Sequence, residues 1–268
     1  MIASILAVPP LLLWLAALAV ALALACGGQA YLVRRGRAAP DLAGTPSPMI
    51  GMAGTLYAVL LGFMTVVSWQ HFYDSREIVT QEAAADADAW HAALALPPDR
   101  RSRVRRDVAR YATVMIDREW SAMRTGAFDN QADVIVMDAI DAATSFNPAN
   151  AAQSNAQSAT LRELSTLHDL RQRRLSYNAA GLPWFDWLVL IAGAACIVVM
   201  SWVFGVPDPR VHMLMTAIVA VLVASTLTLL FELQFPFRGG LGISAQDWAG
   251  VVDHIRFMQQ NSSPNMRM

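Results

Sequence analysis

Four stretches of the chain are apolar on every side: Ser4 to Cys26, Ile50 to Phe72, Trp184 to Val206 and Val211 to Phe231. Each reaches the about 20 residues that a helix needs to cross a bilayer. No Arg, Asp or Glu interrupts the middle of any of them. A helix on a soluble core keeps a charged face at helical spacing, and these do not, so lipid is the solvent the pattern predicts. The first stretch is predicted to stay in place as a span rather than be cleaved as a leader, because it lacks a positive start and its apolar run is too long.

Between the second and third stretches the pattern changes to amphipathic. Span two ends in Trp69, Phe72 and Tyr73, residues suited to the headgroup level, and no Gly or Pro stops the helix before Pro97-Pro98. The spacing predicts that it runs on to Leu96. A second soluble helix starts near Asp99 with Val104, Val108, Tyr111 and Met115 on one face. A third, Ala132 to Ala143, presents Ile135, Val136 and Ile140 and is broken by Asn147-Pro148. A fourth runs from about Ala151 through Leu161, Leu164, Leu167 and Leu170 to Arg171, Arg173 and Arg174, and Gly181 to Pro183 ends it.

The prolines of the loop Gly205 to Arg210 force spans three and four into an antiparallel hairpin. After span four come Pro236, Phe237 and Gly239, then a tail whose Trp248, Val251, Val252 and Ile255 suit an amphipathic helix at the membrane interface. The predicted fold class is therefore all-α: an integral membrane protein with four transmembrane helices and a helical soluble domain between spans two and three. Its predicted domains are 1–73 for the first two spans, 74–183 for the soluble domain, 184–233 for the hairpin and 234–268 for the turn and tail.

Composition agrees with a bilayer protein, since 55% of residues are hydrophobic and only 15% charged. All basic residues are Arg, and the net charge of −1 leaves no basic excess to neutralise phosphates, which argues against nucleic-acid binding. Cys26 and Cys196 both lie in apolar stretches and supply neither a disulfide framework nor a metal cluster. Counting arginines near the span ends sets Arg34, Arg35, Arg37 and Arg210 against Arg76, Arg171, Arg173, Arg174 and Arg238, so the positive-inside rule leaves the orientation open.

Small residues recur at three and four positions along span two, at Gly51, Gly54, Ala58, Gly62 and Thr65, and along span four, at Ala217, Ala220, Ala224 and Thr228. In lipid, helices associate through close van der Waals packing, so both stripes predict intimate helix contacts, within one subunit or between subunits. A second strip on span two, Val59, Phe63 and Val67, continues as Gln70 and Asp74. In a ring of subunits it would line an apolar neck opening into a polar mouth; on a lone subunit it would meet lipid or another span.

No ionisable residue sits at mid-membrane, with His71 and His212 at span ends, which disfavours a proton pump and leaves a passive pore open. Glu82, Asp86, Asp88 and His91 cluster on the extension of span two, but no second set of ligands meets them, and the pattern reads as a solvated face. Arg100, Arg101, Arg103, Arg105 and Arg106 fit a solvated face, an anionic-lipid contact or an anion-attracting vestibule. His168 and His254 stand alone, and no catalytic triad, phosphate loop or zincin motif is present. The sequence thus predicts no enzyme, no metal and no cofactor.

Across nearly its whole length the chain resembles the bacterial bestrophin-like four-span family, long catalogued as a domain of unknown function. The resemblance rests on Gly54 to Phe63 running on to Trp69, on Glu82-Ala83, Tyr111 and Glu119-Trp120. It continues in Arg171, Arg173, Arg174 and Leu175 ahead of Leu182-Pro183, in His212 with Met215, and in Pro236-Phe237 followed by Gly239. It implies a homo-oligomer, by analogy a pentamer, in the bacterial inner membrane, passing small ions with anions favoured, its second span nearest the axis and its soluble domain cytoplasmic. Bestrophins follow their Pro-Phe-Gly turn with acidic residues that clasp calcium. Here Gly240-Leu241-Gly242-Ile243 follows, so calcium gating is not implied. The alternative is a non-conducting scaffold or sensor whose soluble domain binds a partner.

Overall fold

The computed structural model describes residues 6, 8–35, 47–203 and 208–261, and for 47–50 and 261 the backbone alone. Ser4 of the first predicted span, Arg37, and Gly205 to Pro207 of the hairpin loop lie outside them. The described residues form nine α-helices and no strand. Four helices are long and apolar enough to cross a membrane. They are α1 (Pro10–Arg34), α2 (Ser47–Ala92), α7 (Trp184–Val203) and α8 (Pro209–Leu233). Between them lie α3 (Pro98–Val114), α4 (Trp120–Arg124), α5 (Asn130–Thr144) and α6 (Ala151–Ala179), and after them α9 (Gln246–Asn261).

Local chemistry sets several of these boundaries. Pro9 is extended and Pro10 occupies the first helical position, where its missing N–H costs nothing. The first span therefore starts at Pro10, and it runs on through Gly27-Gly28 to Arg34, beyond Cys26. The Asp129 carboxylate accepts the Gln131 N–H at 2.9 Å to cap α5, and the Asn150 side-chain oxygen accepts that of Gln153 at 2.9 Å to cap α6. Asp208 does the same for α8. These caps satisfy N–H groups that a helix start leaves without partners.

Within the described residues the chain divides into two compact units. One holds the residues up to Phe72, Gly181–Phe235 and Gly239–Leu241; the other holds Tyr73–Ala180, Pro236–Arg238 and the residues from Gly242 on. In the first unit α8 packs along α1, with the Trp14 indole donating to Ser225 Oγ at 2.9 Å, and His212 Nε2 meets the Ser201 carbonyl of α7 at 2.7 Å. Tyr57 and Leu61 of α2 join Leu190 and Leu230 in a small core. The Tyr57 hydroxyl donates to the Leu190 carbonyl at 3.0 Å.

Gly193 makes that contact possible, because a Cβ there would lie 2.5 Å from the Tyr57 ring. Gly193→Ala must displace a ring anchored by its hydroxyl, and is expected to cost about 1–3 kcal/mol, the usual scale of overpacking. Gly27→Ala on α1, where a Cβ meets nothing within 4 Å, should keep or raise the melting temperature, since alanine is the better helix former. Thermal melts of the two variants in detergent check this, and equal melting temperatures contradict it.

The second unit has a large core made by the inner faces of α3, α5, α6 and α9 and the extension of α2. Trp248, Val251, Val252 and Ile255 of α9 are buried there. The expectation that this amphipathic face lies on the membrane interface is thus corrected: it is used up in protein packing, with Trp248 against Tyr111 at 5.5 Å between ring centroids.

Candidate functional site

On α2 the apolar spacing divides the span into three sides. Tyr57, Leu61 and Ser68 are buried against the chain's own helices. Val59, Phe63 and Val67 are exposed, Phe63 at 68%, and so is Gln70; Asp74, on the part of α2 in the second unit, is exposed as well. Gly51, Gly54 and Gly62 lie on a third side, and a Cβ added at any of them meets nothing within 4 Å. With Ala58 and Thr65, two of these glycines line an apolar groove of about 550 Å³ against Val219, Leu222 and Thr226 of α8. At about 100° per residue, the small strip and the Phe63 strip point well apart around the helix.

The matching stripe on α8 behaves differently. Ala220 and Ala224 are buried, Ala217 and Thr228 are half-buried, and α8 packs closely on α1. One stripe of small residues is consumed inside the chain and the other is left open.

After α8, Pro236 and Phe237 are buried in the second unit, where the Phe237 ring meets Trp120 edge-on at 5.9 Å. The Arg238 guanidinium donates to the Asn178 carbonyl at 2.6 Å. Gly239 has φ +77, the left-handed region that other residues rarely adopt, and a Cβ there would approach the Glu232 carboxylate to 2.8 Å.

The second unit holds a buried ionic network around Glu82, which corrects the expectation of a solvated face for Glu82 and Asp86, while Asp88 is exposed as expected. The buried side of the α2 extension runs Ser75, Val79, Glu82, Asp86, Ala89 and Ala93, so two carboxylates stand on a core-facing stripe. Arg174 of α6 donates to Glu82 through Nε at 2.5 Å and Nη2 at 3.1 Å, and the Tyr111 hydroxyl donates to the same carboxylate at 2.5 Å. Arg171 reaches Glu119 at 3.2 Å, Asp133 at 3.1 Å and the Asp129 carbonyl at 2.9 Å. Glu119 closes a π turn, Met115–Glu119, that joins α3 to α4. Burial pulls the Arg174 guanidinium down, but the Glu82 and Glu119 carboxylates more than reverse this, so it stays charged. Burial and the Glu82 charge push the Tyr111 hydroxyl well up, keeping it a donor.

Asp86 is also fully buried, and neither of its oxygens has a hydrogen-bond partner. Burial first, then the charge of Glu82, push its carboxyl well above the usual range, so it is held neutral. A carboxyl that keeps its proton more tightly when folded loses folding stability as pH rises from the ordinary carboxylate value toward the folded one. Asp86→Asn removes that loss. Its stability relative to the parent is expected to rise as pH climbs above about 4, the value of an unperturbed aspartate. Thermal melts across that range check the slope, and a pH-independent difference contradicts it.

The basic run on α3 divides rather than acting as one surface. Arg105 lies over the Trp90 ring at 3.4 Å, Arg100 pairs with Asp99 at 3.1 Å, and Arg103 and Arg106 face solvent.

The family model for the Bestrophin-like domain matches residues 15–247. The chain belongs to the bestrophin-like family. Two crystal structures of single-substitution variants of a bacterial bestrophin homologue from Klebsiella pneumoniae share its fold. They have TM-scores of 0.69 and 0.67, each at 12% identity, covering 92% and 91% of this chain and 97% of theirs. A third, described as a membrane protein, gives 0.69 at 12% identity over 91% of this chain and 98% of that one. No curated protein matches.

The bestrophin-like residues noted in the sequence turn out to be spatial neighbours in part: Glu82, Tyr111, Glu119, Arg171 and Arg174 form one network. One signal of it was readable. Leu164, Leu167, Arg171 and Arg174 recur at three and four residues, so an apolar face runs directly into two arginines.

Proposed function

We propose that this bestrophin-like protein is one subunit of a homo-oligomeric channel, five copies by resemblance, that passes small ions passively with anions favoured. The channel sits in the bacterial inner membrane with the second unit on the cytoplasmic side. Val59, Phe63, Val67, Gln70 and Asp74 line the path, and Gly51, Gly54, Ala58 and Gly62 meet the neighbouring copy. The observation that carries this reading is the open α2: a Cβ added on its glycine side meets nothing within 4 Å, and its Phe63 side is uncovered. Mid-span charge is absent along both sides, which suits passive passage through an apolar neck. The exposed guanidiniums of Arg103 and Arg106 favour anions near the soluble unit.

A Cβ at Gly62 meets nothing within 4 Å in its own chain, so a larger side chain there chiefly tests for a neighbouring copy. Gly62→Leu is expected to break the oligomer in mild detergent while Leu60→Ala leaves it whole; unchanged size profiles for both remove the glycine contact. The function itself is tested by chloride and sodium efflux from ion-loaded liposomes holding the parent protein. Efflux with chloride ahead of sodium is expected. An assembled protein that releases neither ion is a scaffold or sensor instead.

A further inference from the structure

We propose that His91 and His254 form a binding site for a borderline divalent transition metal, Zn²⁺ or Cu²⁺, that pins α9 to the extension of α2. The two residues stand 163 positions apart in the chain, yet their Nε2 atoms face each other at 3.1 Å with ring centroids 5.4 Å apart. Imidazole nitrogens bind zinc at about 2.0–2.1 Å, so two neighbouring ligands of one ion stand roughly 2.9 Å apart at a right angle and roughly 3.3 Å apart at the tetrahedral angle. The observed separation lies between these limits. A metal between the rings therefore needs no rearrangement of either helix.

Both residues sit beside buried anchors of the core. His91 meets the buried Trp90 edge-on at 5.1 Å, and His254 adjoins Ile255, whose side chain is buried in the core of the same unit. His254 itself is exposed and His91 half-buried, which leaves the ion a route from solvent. Among the described residues no cluster of three or more His, Cys, Asp or Glu completes a protein cage. Water fills the other positions, so the site is exchangeable rather than a permanent staple, and copper binds more tightly than zinc. Binding also requires both rings unprotonated and so competes with protons. Without an ion the pair is a single hydrogen bond near the surface.

The sequence reading expected no metal because the two ligands lie on helices whose pairing only the fold reveals. The inference is independent of ion conduction, since its readouts are binding and melting. Full-length protein with any affinity tag removed is titrated with ZnCl₂ in detergent by calorimetry, and melted with and without zinc. Expected are one saturable site per chain and a zinc-dependent rise in melting temperature. His91→Ala and His254→Ala should each weaken binding tenfold or more and abolish the rise. His168→Ala, whose ring lies near Asp133, should change neither. Should an alanine variant fail to fold, His91→Gln and His254→Gln supply the same readout with longer side chains. No saturable binding by the parent, or parent-like binding in a folded variant at either position, overturns the site and leaves a hydrogen-bonded pair only.

Discussion

Arg174→Ala should destabilise the second unit by about 3–5 kcal/mol, the cost of stripping one partner from a buried ion pair. The guanidinium and both carboxylates it touches are fully buried, and the substitution removes both of its hydrogen bonds to Glu82 while the Tyr111 hydroxyl still donates to that carboxylate. Glu82 is itself fully buried, so a carboxylate is left without the guanidinium that offsets its desolvation. Arg174→Lys should recover little, because a single ammonium cannot reproduce the two-point contact with Glu82. Arg173→Ala, one residue away and exposed, should stay within about 0.5 kcal/mol of the parent. A double variant, Glu82→Leu with Arg174→Met, removes both charges and should regain most of the loss, since apolar replacement of a buried pair is often neutral. Denaturant melts followed by circular dichroism check the series, and equal losses for Arg173→Ala and Arg174→Ala contradict it.

The spans and the soluble helices were legible because each depends on local information. The Pro97-Pro98 stop and the Asn147-Pro148 break reappear in the structure within a few residues, while the first span is shifted along the chain to Pro10–Arg34. What failed was inference from charge alone. Glu82 and Asp86 looked like solvated residues because carboxylates are rarely buried without a partner, and Glu82's partner, Arg174, lies 92 residues further on. The tail illustrates the same limit: amphipathicity in α9 shows that one side is covered, but not whether lipid or protein covers it. The two small-residue stripes look alike as patterns, yet α8 uses its stripe against α1 while that of α2 stays open. Only tertiary packing separates them.

Phe63→Ala should raise ion flux by roughly tenfold, as expected for a barrier lowered by about 1.4 kcal/mol. Phe63 is the bulkiest residue of the exposed Val59, Phe63 and Val67 strip, and no helix of its own chain covers it. A ring of such side chains around an axis leaves a narrow apolar neck that resists wetting, and replacing each by a methyl group widens it and shortens the dry stretch. The fold of the subunit should not change, because the ring contributes little to the chain's own core. Leu56→Ala is the informative comparison. Leu56 is equally exposed, at 71%, but lies two turns from Phe63 toward the other end of the span, where it should affect flux less.

The central claim is that α2 borders a permeation path. Planar-bilayer recordings of the purified parent and Phe63→Ala, matched for oligomer size, test it most directly in symmetrical chloride solutions. Discrete currents from the parent and larger ones from the variant are expected. Correctly assembled parent and variant that both fail to conduct would contradict it.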